Sequence, residues 1–152
     1  MGPERADEFA HAIRLLCRGH QVVAVNPRET RASRAFENAG GTFIRARIEQ
    51  LARSCGRFEL VLENYPYPSG RNYVPPRPFA LARLSRLASC GQWILFTESI
   101  RFATLLKAVV EHDDDLREKI RVSLVPIPAD AAPTSHYPQV DRRLRLVFQR
   151  VW

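Results

Sequence analysis

The chain has 152 residues, 45% apolar and 26% charged, which fits one domain with a buried core and excludes global disorder. Its formal net charge of +7 rests on 23 basic residues, all arginine except Lys107 and Lys119. Arginine pairs bidentately with phosphate, so this charge fits a polyanionic partner, although scattered arginines are also typical of a solvated surface.

Nothing in the sequence indicates a metal site or a membrane segment. The three cysteines lack metal-ligand spacing, and no apolar run is long enough to cross a membrane. Acidic residues stand near the start, where a signal peptide would need apolar ones. We therefore expect a soluble chain with reduced thiols and no membrane contact, either cytoplasmic or delivered by a parent protein.

Predicted helices and strands alternate along the chain. Apolar residues at helical spacing predict helices over residues 4–18, 30–38, 79–88 and 100–111, with short helical turns over 49–54 and 116–119. Apolar or alternating runs predict strands over residues 21–26, 42–48, 60–62, 92–97, 121–127 and 143–152. This order indicates one α/β domain over residues 1–152. It would be a three-layer sandwich whose mostly parallel sheet has about six strands and an antiparallel C-terminal strand.

Three apolar runs are predicted to be the most buried strand segments: residues 22–25, 60–62 and 94–96. Strands that are covered on both faces of a parallel sheet read as unbroken apolar runs, whereas strands that face solvent alternate. We therefore expect all three runs in the interior of the sheet.

Polar residues follow several of these strands. The run over 60–62 stops at Glu63-Asn64, and Pro66 prevents the strand from continuing. Open α/β sheets bind ligands at the carboxyl ends of their strands. The sequence therefore predicts a ligand pocket beside Asn26, Ile48 and Asn64.

Residues 58–67 resemble the fourth strand and following motif of Rossmann-like, S-adenosylmethionine-dependent class I methyltransferases. Members that act on exocyclic amines often carry Asn/Asp-Pro-Pro-Tyr there, and this chain reads Asn64-Tyr65-Pro66-Tyr67. Residues 81–96 look like the family's helix, glycine turn and fifth strand. The chain is also similar to methyltransferase-like modules at the C-termini of toxin-type bacterial proteins.

The resemblance implies catalytic roles for Asn64 and Tyr67. Asn64 would accept a hydrogen bond from a target amine, while Pro66 and Tyr67 form a wall on which a planar substrate stacks. Methyl transfer depends on holding the nucleophile in line with the methyl group rather than on acid–base chemistry. The alternative is that Asn64 caps the turn and the tyrosines pack under the loop.

The resemblance also assigns cofactor positions. Of the family's glycine-rich loop only Gly2 stands before the first helix, and Asn26 occupies the place of the acid that binds the ribose hydroxyls. Arg47 replaces the acid near the adenine, which leaves Ile48 to pack on the ring. Glu63 would balance the positive charge of S-adenosylmethionine or, alternatively, be solvated.

Substrate-binding positions are implied in the proline-rich loop over residues 69–78. Tyr73 and Arg77 would form a lid or substrate clamp, and a rigid surface loop is the alternative. Arg45, Arg47 and Arg53 are the best candidates for phosphate contacts if the chain binds nucleic acid weakly.

The resemblance leaves two main functions open. The chain is either a methyltransferase acting on an unidentified acceptor, such as an amine or a nucleobase, or a module that keeps the fold without the cofactor and serves in binding or in a toxin-type effector. Serine-hydrolase, zinc and P-loop patterns are missing from the sequence.

The family's first strand has no counterpart before residue 4, so we expect an N-terminally incomplete domain. In the family that strand lies between the strands ending here at Asn26 and Asn64. Unpaired buried backbone groups are costly, so either these two strands pair directly or a partner chain or upstream segment supplies a strand. Direct pairing is the expectation for the isolated chain.

Overall fold

Helices and strands both occur in the part of the chain that this computed structural model describes, residues 6–64, 74–97, 99–127 and 143–151. The chain divides into two compact units, Met1–Cys55 and Gly56–Trp152. None of the described helices is both long and apolar enough to cross a membrane.

The first unit contains two helices and a pair of parallel strands. Its elements are α1 (Ala6–Cys17), β1 (Val23–Val25), α2 (Arg31–Asn38) and β2 (Thr42–Ile44), followed by one-turn 3-10 helices at Ile48–Gln50 and Arg53–Cys55. Val25 at the end of β1 pairs with Ile44 at the end of β2. The carboxyl ends of both strands therefore lie at the same edge.

Two aromatic rings form the core of the first unit. Phe9 of α1 and Phe36 of α2 are almost fully buried, their ring centroids lie 5.5 Å apart, and Ala24 of β1 joins them. Helix α2 starts at a capping box, because Thr30 Oγ1 accepts a hydrogen bond from the Ser33 N–H at 3.1 Å. The Thr30 cap and the Phe9–Phe36 core together hold the start of α2 in place after β1.

The second unit is a four-stranded mixed sheet with helices. Its elements are β3 (Phe58–Asn64), α3 (Pro76–Leu84), β4 (Leu87–Thr97), α4 (Ile100–His112), α5 (Asp114–Arg117), β5 (Ile120–Ile127) and β6 (Arg143–Arg150). The strand order is β3-β4-β6-β5, with β3 parallel to β4 and β6 antiparallel to both of its neighbours. The predicted antiparallel C-terminal strand is therefore present.

One face of this sheet holds the core of the second unit. Trp93 and Leu95 of β4 have no exposed surface, and neither do Leu146 and Phe148 of β6. The Trp93 and Phe148 rings stack with centroids 4.3 Å apart. The helices α3 and α4 contribute further large apolar side chains to this cluster: Phe79, Leu84, Leu106 and Val110.

The prediction that residues 60–62 are among the most buried is wrong. Leu60 is 48% exposed and Leu62 is 55% exposed. Both point away from the face on which Val61 lies beside Trp93, and β3 is an edge strand of its sheet. An unbroken apolar run therefore did not distinguish an edge strand from a central one.

The other two apolar runs are buried only in part. Ala24 within residues 22–25 and Leu95 within residues 94–96 are buried, whereas the residues beside them are half-buried. Alternation along the strands thus decides burial here, even where the sequence shows no polar residue.

The six described strands form two sheets rather than one. Among them, β1 pairs only with β2, and β3 pairs only with β4. Direct pairing of β1 with β3, which the sequence predicts, would join the two units and stays a prediction.

Several element boundaries differ from the prediction, among them those of α3, β4 and β2. Helix α3 begins at Pro76 instead of residue 79, because a proline in the first turn lacks only an N–H that the helix does not use. Strand β4 begins at Leu87 and contains Cys90 in the left-handed region, at φ 56°, where its register against β3 shifts. Strand β2 ends at Ile44, and a 3-10 helix follows at Ile48–Gln50.

Candidate functional site

Asn26 stands directly after β1 and is 1% exposed. Its backbone N–H donates to the Ile44 carbonyl at 3.2 Å, which extends the pairing of β1 with β2 by one residue. Its side-chain Oδ1 accepts a hydrogen bond from the Arg28 N–H at 2.9 Å, a turn typical of asparagine before proline. The side chain is therefore held in one orientation.

The side-chain Nδ2 of Asn26 differs from Oδ1, because no described residue accepts its hydrogen bond. This nitrogen is also buried. Leaving a buried donor unsatisfied costs about 1–3 kcal/mol, so such groups are rare away from functional sites and ordered water. Asn26 thus carries a fixed, unsatisfied donor at the end of β1.

Ile48 lies at the same edge of the first unit. It is half-buried and opens the 3-10 helix that follows β2, and this turn is held by a hydrogen bond from the Arg47 N–H to Gln50 Oε1 at 3.1 Å. Asn26 and Ile48 therefore place one polar and one apolar side chain after neighbouring parallel strands, which is where open α/β sheets bind ligands.

Glu63 of β3 is held by two donors of its own unit. Arg83 Nη2 donates to Glu63 Oε1 at 2.6 Å and Arg83 Nε donates to Oε2 at 2.9 Å, while Trp93 Nε1 donates to Oε2 at 3.2 Å. Arg83 is 4% exposed, and its guanidinium lies 3.5 Å from the centroid of the Phe79 ring. The carboxylate is therefore engaged mainly by protein donors, and Arg83 offsets its charge.

Several predicted site residues lie outside the described residues. These are Gly2, Pro66, Tyr67 and Tyr73. The backbone of Asn64 ends β3 and pairs with Phe96, but the side chains of Asn64 and Arg53 also fall outside the description. Their roles stay predictions, as does a pocket beside Asn26, Ile48 and Asn64. Within the described ranges, no three His, Cys, Asp or Glu side chains group as metal ligands.

Arg77, a predicted substrate clamp, lies in α3 and pairs with Asp113. Arg77 Nε donates to Asp113 Oδ2 at 2.6 Å, and Asp113 Oδ1 caps α5 by accepting from the Asp115 and Leu116 N–H groups. The hydrogen bond from Arg77 is the largest cause that holds the pKa of Asp113 below its ordinary value, and the backbone hydrogen bonds add to it.

We expect the Arg77→Gln substitution to raise the pKa of Asp113. Asp113 stabilises the fold while it is ionised, and this contribution is lost as pH falls through its lowered folded-state pKa. Without Arg77 the loss should begin at higher pH. Carboxyl chemical shifts followed by NMR across the acidic range measure the pKa, and an unchanged Asp113 titration would contradict the pairing.

Sequence reasoning found Asn26 but missed Arg83 and Trp93. Asn26 is visible because Asn-Pro after an apolar run marks the end of a strand. Arg83 and Trp93 carry no such signal, since they lie 20 and 30 residues after Glu63 and meet it only in the folded unit.

The fold is similar to that of solved methyltransferases. One is the N-methyltransferase NodS from Bradyrhizobium japonicum WM9, in complex with S-adenosyl-L-homocysteine. The match covers 86% of this chain and 66% of the NodS chain, at 11% identity and a TM-score of 0.56. An rRNA methylase from Streptococcus thermophilus matches 87% over 74%, at 14% identity and a TM-score of 0.53. The plantazolicin methyltransferase BpumL, in complex with a triazolic analogue and S-adenosylhomocysteine, matches 95% over 73%, at 9% identity and a TM-score of 0.64.

Because the sequence identities are low, these similarities show the fold alone. The chain has the class I methyltransferase fold, which confirms the predicted Rossmann-like α/β class. It spans 66–74% of the length of these three proteins. No protein-family model and no curated protein matches the sequence.

Proposed function

We propose that the chain binds S-adenosylmethionine at the carboxyl end of β1 and β2 and transfers its methyl group to an amine or nucleobase acceptor. The observation that supports this most is the buried Asn26 Nδ2, which has no acceptor among the described residues. The fold adds support, since NodS and BpumL were solved with S-adenosylhomocysteine.

The residues at this edge fit the adenosine part of the cofactor. A ribose hydroxyl oxygen can accept the hydrogen bond that Asn26 Nδ2 offers, while Oδ1 stays with the Arg28 N–H. Ile48, half-buried after β2, supplies an apolar surface for the adenine ring. Both residues belong to the first unit, so the cofactor part of the proposal does not depend on the identity of the acceptor.

When bound, S-adenosylmethionine supplies an electrophilic methyl group on its sulfonium. The protein's task is then to hold the acceptor nitrogen in line with that group, and the Asn64-Tyr65-Pro66-Tyr67 motif makes Asn64 and Tyr67 the candidates for this task. Because Arg83 already offsets its charge, we assign Glu63 to fixing the end of β3 beside Asn64. Methyl transfer needs no buried base, since an amine acceptor can release its proton to solvent.

Calorimetric titration with S-adenosylhomocysteine tests the proposal. The wild-type chain should bind, and Asn26→Ala should bind about three- to tenfold more weakly, which corresponds to the loss of one hydrogen bond. Asn38→Ala is the matched control, because Asn38 is exposed at the end of α2, and its affinity should equal that of the wild type. Thermal melting without ligand shows that both variants remain folded.

Two results would count against the proposal. Equal affinities of Asn26→Ala and the wild type would remove Asn26 from the site. A wild-type chain that binds S-adenosylhomocysteine no more tightly than about 1 mM would favour the alternative, a methyltransferase-fold module that acts by binding a partner without the cofactor.

A further inference from the structure

Exposed arginines lie beside Asn26 at the edge where β1 and β2 end. We call Arg28, Arg45 and Arg47 the rim arginines, and all three are exposed. Arg45 Nε donates to the carbonyl of Pro27 at 3.4 Å, so its side chain crosses from the end of β2 to the segment after β1. That segment continues directly into Arg28.

The guanidinium groups of two rim arginines are available to an anion. Arg45 makes only the hydrogen bond from Nε, which leaves its Nη groups without a partner among the described residues, and the Arg28 side chain has none there either. Glu29 lies next to Arg28, but its carboxylate pairs with Arg34 at 2.6 Å. The local charge is therefore positive, and arginine forks fit phosphate oxygens bidentately.

We propose that the rim arginines bind the phosphate backbone of a single-stranded nucleic acid, which is the methyl acceptor. This inference rests on the proposed function, because it places the acceptor phosphates beside the donor atom assigned to the cofactor ribose. A single strand is favoured over a duplex, since chemistry on a base requires that base to be unstacked. It is favoured over a free nucleotide because the arginines are exposed instead of lining an enclosed pocket, and exposed basic side chains suit a backbone that runs across the surface.

Fluorescence anisotropy with labelled single strands of about 12 nucleotides tests the surface. RNA and DNA of the same sequence are titrated between about 50 and 200 mM salt, and binding should weaken as salt rises. Arg28→Gln and Arg45→Gln should each weaken binding and lower the slope of log affinity against log salt by about 0.7, the value for one phosphate contact on a single strand. Tighter binding of one strand type identifies the acceptor as RNA or DNA.

Arg18→Gln is the matched control. Arg18 is exposed in the turn between α1 and β1, at the amino end of β1 and so at the opposite edge of the strand pair. The Arg18→Gln variant loses the same charge as the rim variants, and its slope of log affinity against log salt should equal that of the wild type. An equal loss in Arg18→Gln, or no binding by the wild type at about 50 mM salt, would overturn the proposal. So would a labelled polyglutamate peptide that binds as tightly as the oligonucleotides, since the surface would then accept any polyanion.

A parallel titration with S-adenosylhomocysteine separates this inference from the proposed function. Arg28→Gln and Arg45→Gln should keep the wild-type affinity for S-adenosylhomocysteine while losing oligonucleotide binding. A wild-type chain that binds oligonucleotides through these arginines but binds no S-adenosylhomocysteine would refute the cofactor and the acceptor role, and it would retain the rim as a nucleic-acid surface.

Discussion

Replacing Arg83 by methionine is expected to lower the free energy of unfolding by about 3–5 kcal/mol, because it leaves the Glu63 carboxylate without its cationic partner in the protein interior. Arg83 is 4% exposed and donates to both oxygens of Glu63, at 2.6 and 2.9 Å. We expect the lower end of this range, since the Glu63 side chain keeps 16% of its surface exposed and Trp93 still donates to it. Denaturant unfolding followed by circular dichroism at neutral pH measures the change.

Lys107→Met supplies the matched control for Arg83→Met. Lys107 and Glu111 form an ion pair across one turn of α4, and their side chains are 37% and 44% exposed. Surface pairs of this kind contribute about 0–1 kcal/mol, so the control should change stability little. In addition, Glu63→Gln removes the negative charge that pairs with Arg83. Arg83→Met should therefore lower the free energy of unfolding by less in the Glu63→Gln variant than in the wild type. A loss in Arg83→Met no larger than that in Lys107→Met would contradict a stabilising ion pair.

The elements that sequence reasoning placed well are those whose local pattern is sufficient. The helices α1, α2 and α4 lie close to their predicted bounds, because apolar spacing and caps such as Thr30 and Ser99 mark them. Helix α3 begins earlier than predicted because prolines in a first helical turn resemble prolines in a loop. Local chemistry thus sets most helix boundaries, whereas a proline fits either the first turn of a helix or a loop.

The exposure of β3 could not be predicted from its own residues. Leu60 and Leu62 belong to an apolar run that would suit a central strand, yet β3 pairs with β4 alone among the described strands. Whether a strand is central depends on neighbours far away in sequence, and the run itself carries no information about them. The division of the strands into two sheets follows from the same long-range pairing.

The candidate site divides in the same way. Asn26 was predictable because it ends an apolar run before a proline, and the structure adds that its Nδ2 has no acceptor among the described residues. The engagement of Glu63 by Arg83 was not predictable, because it joins β3 to α3 across 20 residues. A residue at a strand end is visible in the sequence, whereas the partner of its side chain is set by tertiary packing.

The second large effect is expected at Trp93. Trp93→Ala should lower the free energy of unfolding by about 3–5 kcal/mol, because it opens a cavity in the core of the second unit. Trp93 has no exposed surface, stacks on Phe148 at 4.3 Å and lies 6.1 Å from the Phe79 ring. Denaturant unfolding measures the loss. Leu62→Ala is the control, because Leu62 is 55% exposed, and its free energy of unfolding should change by less than about 1 kcal/mol.

Trp93→Phe separates the two contributions of the indole. Phenylalanine retains an aromatic ring for the stack on Phe148 but lacks the N–H that donates to Glu63 at 3.2 Å. If packing dominates, this variant should lose well under half of what Trp93→Ala loses, since Arg83 still satisfies both oxygens of Glu63. Equal losses in the two variants would instead mean that the hydrogen bond to Glu63, and not the ring stack, accounts for the contribution of Trp93.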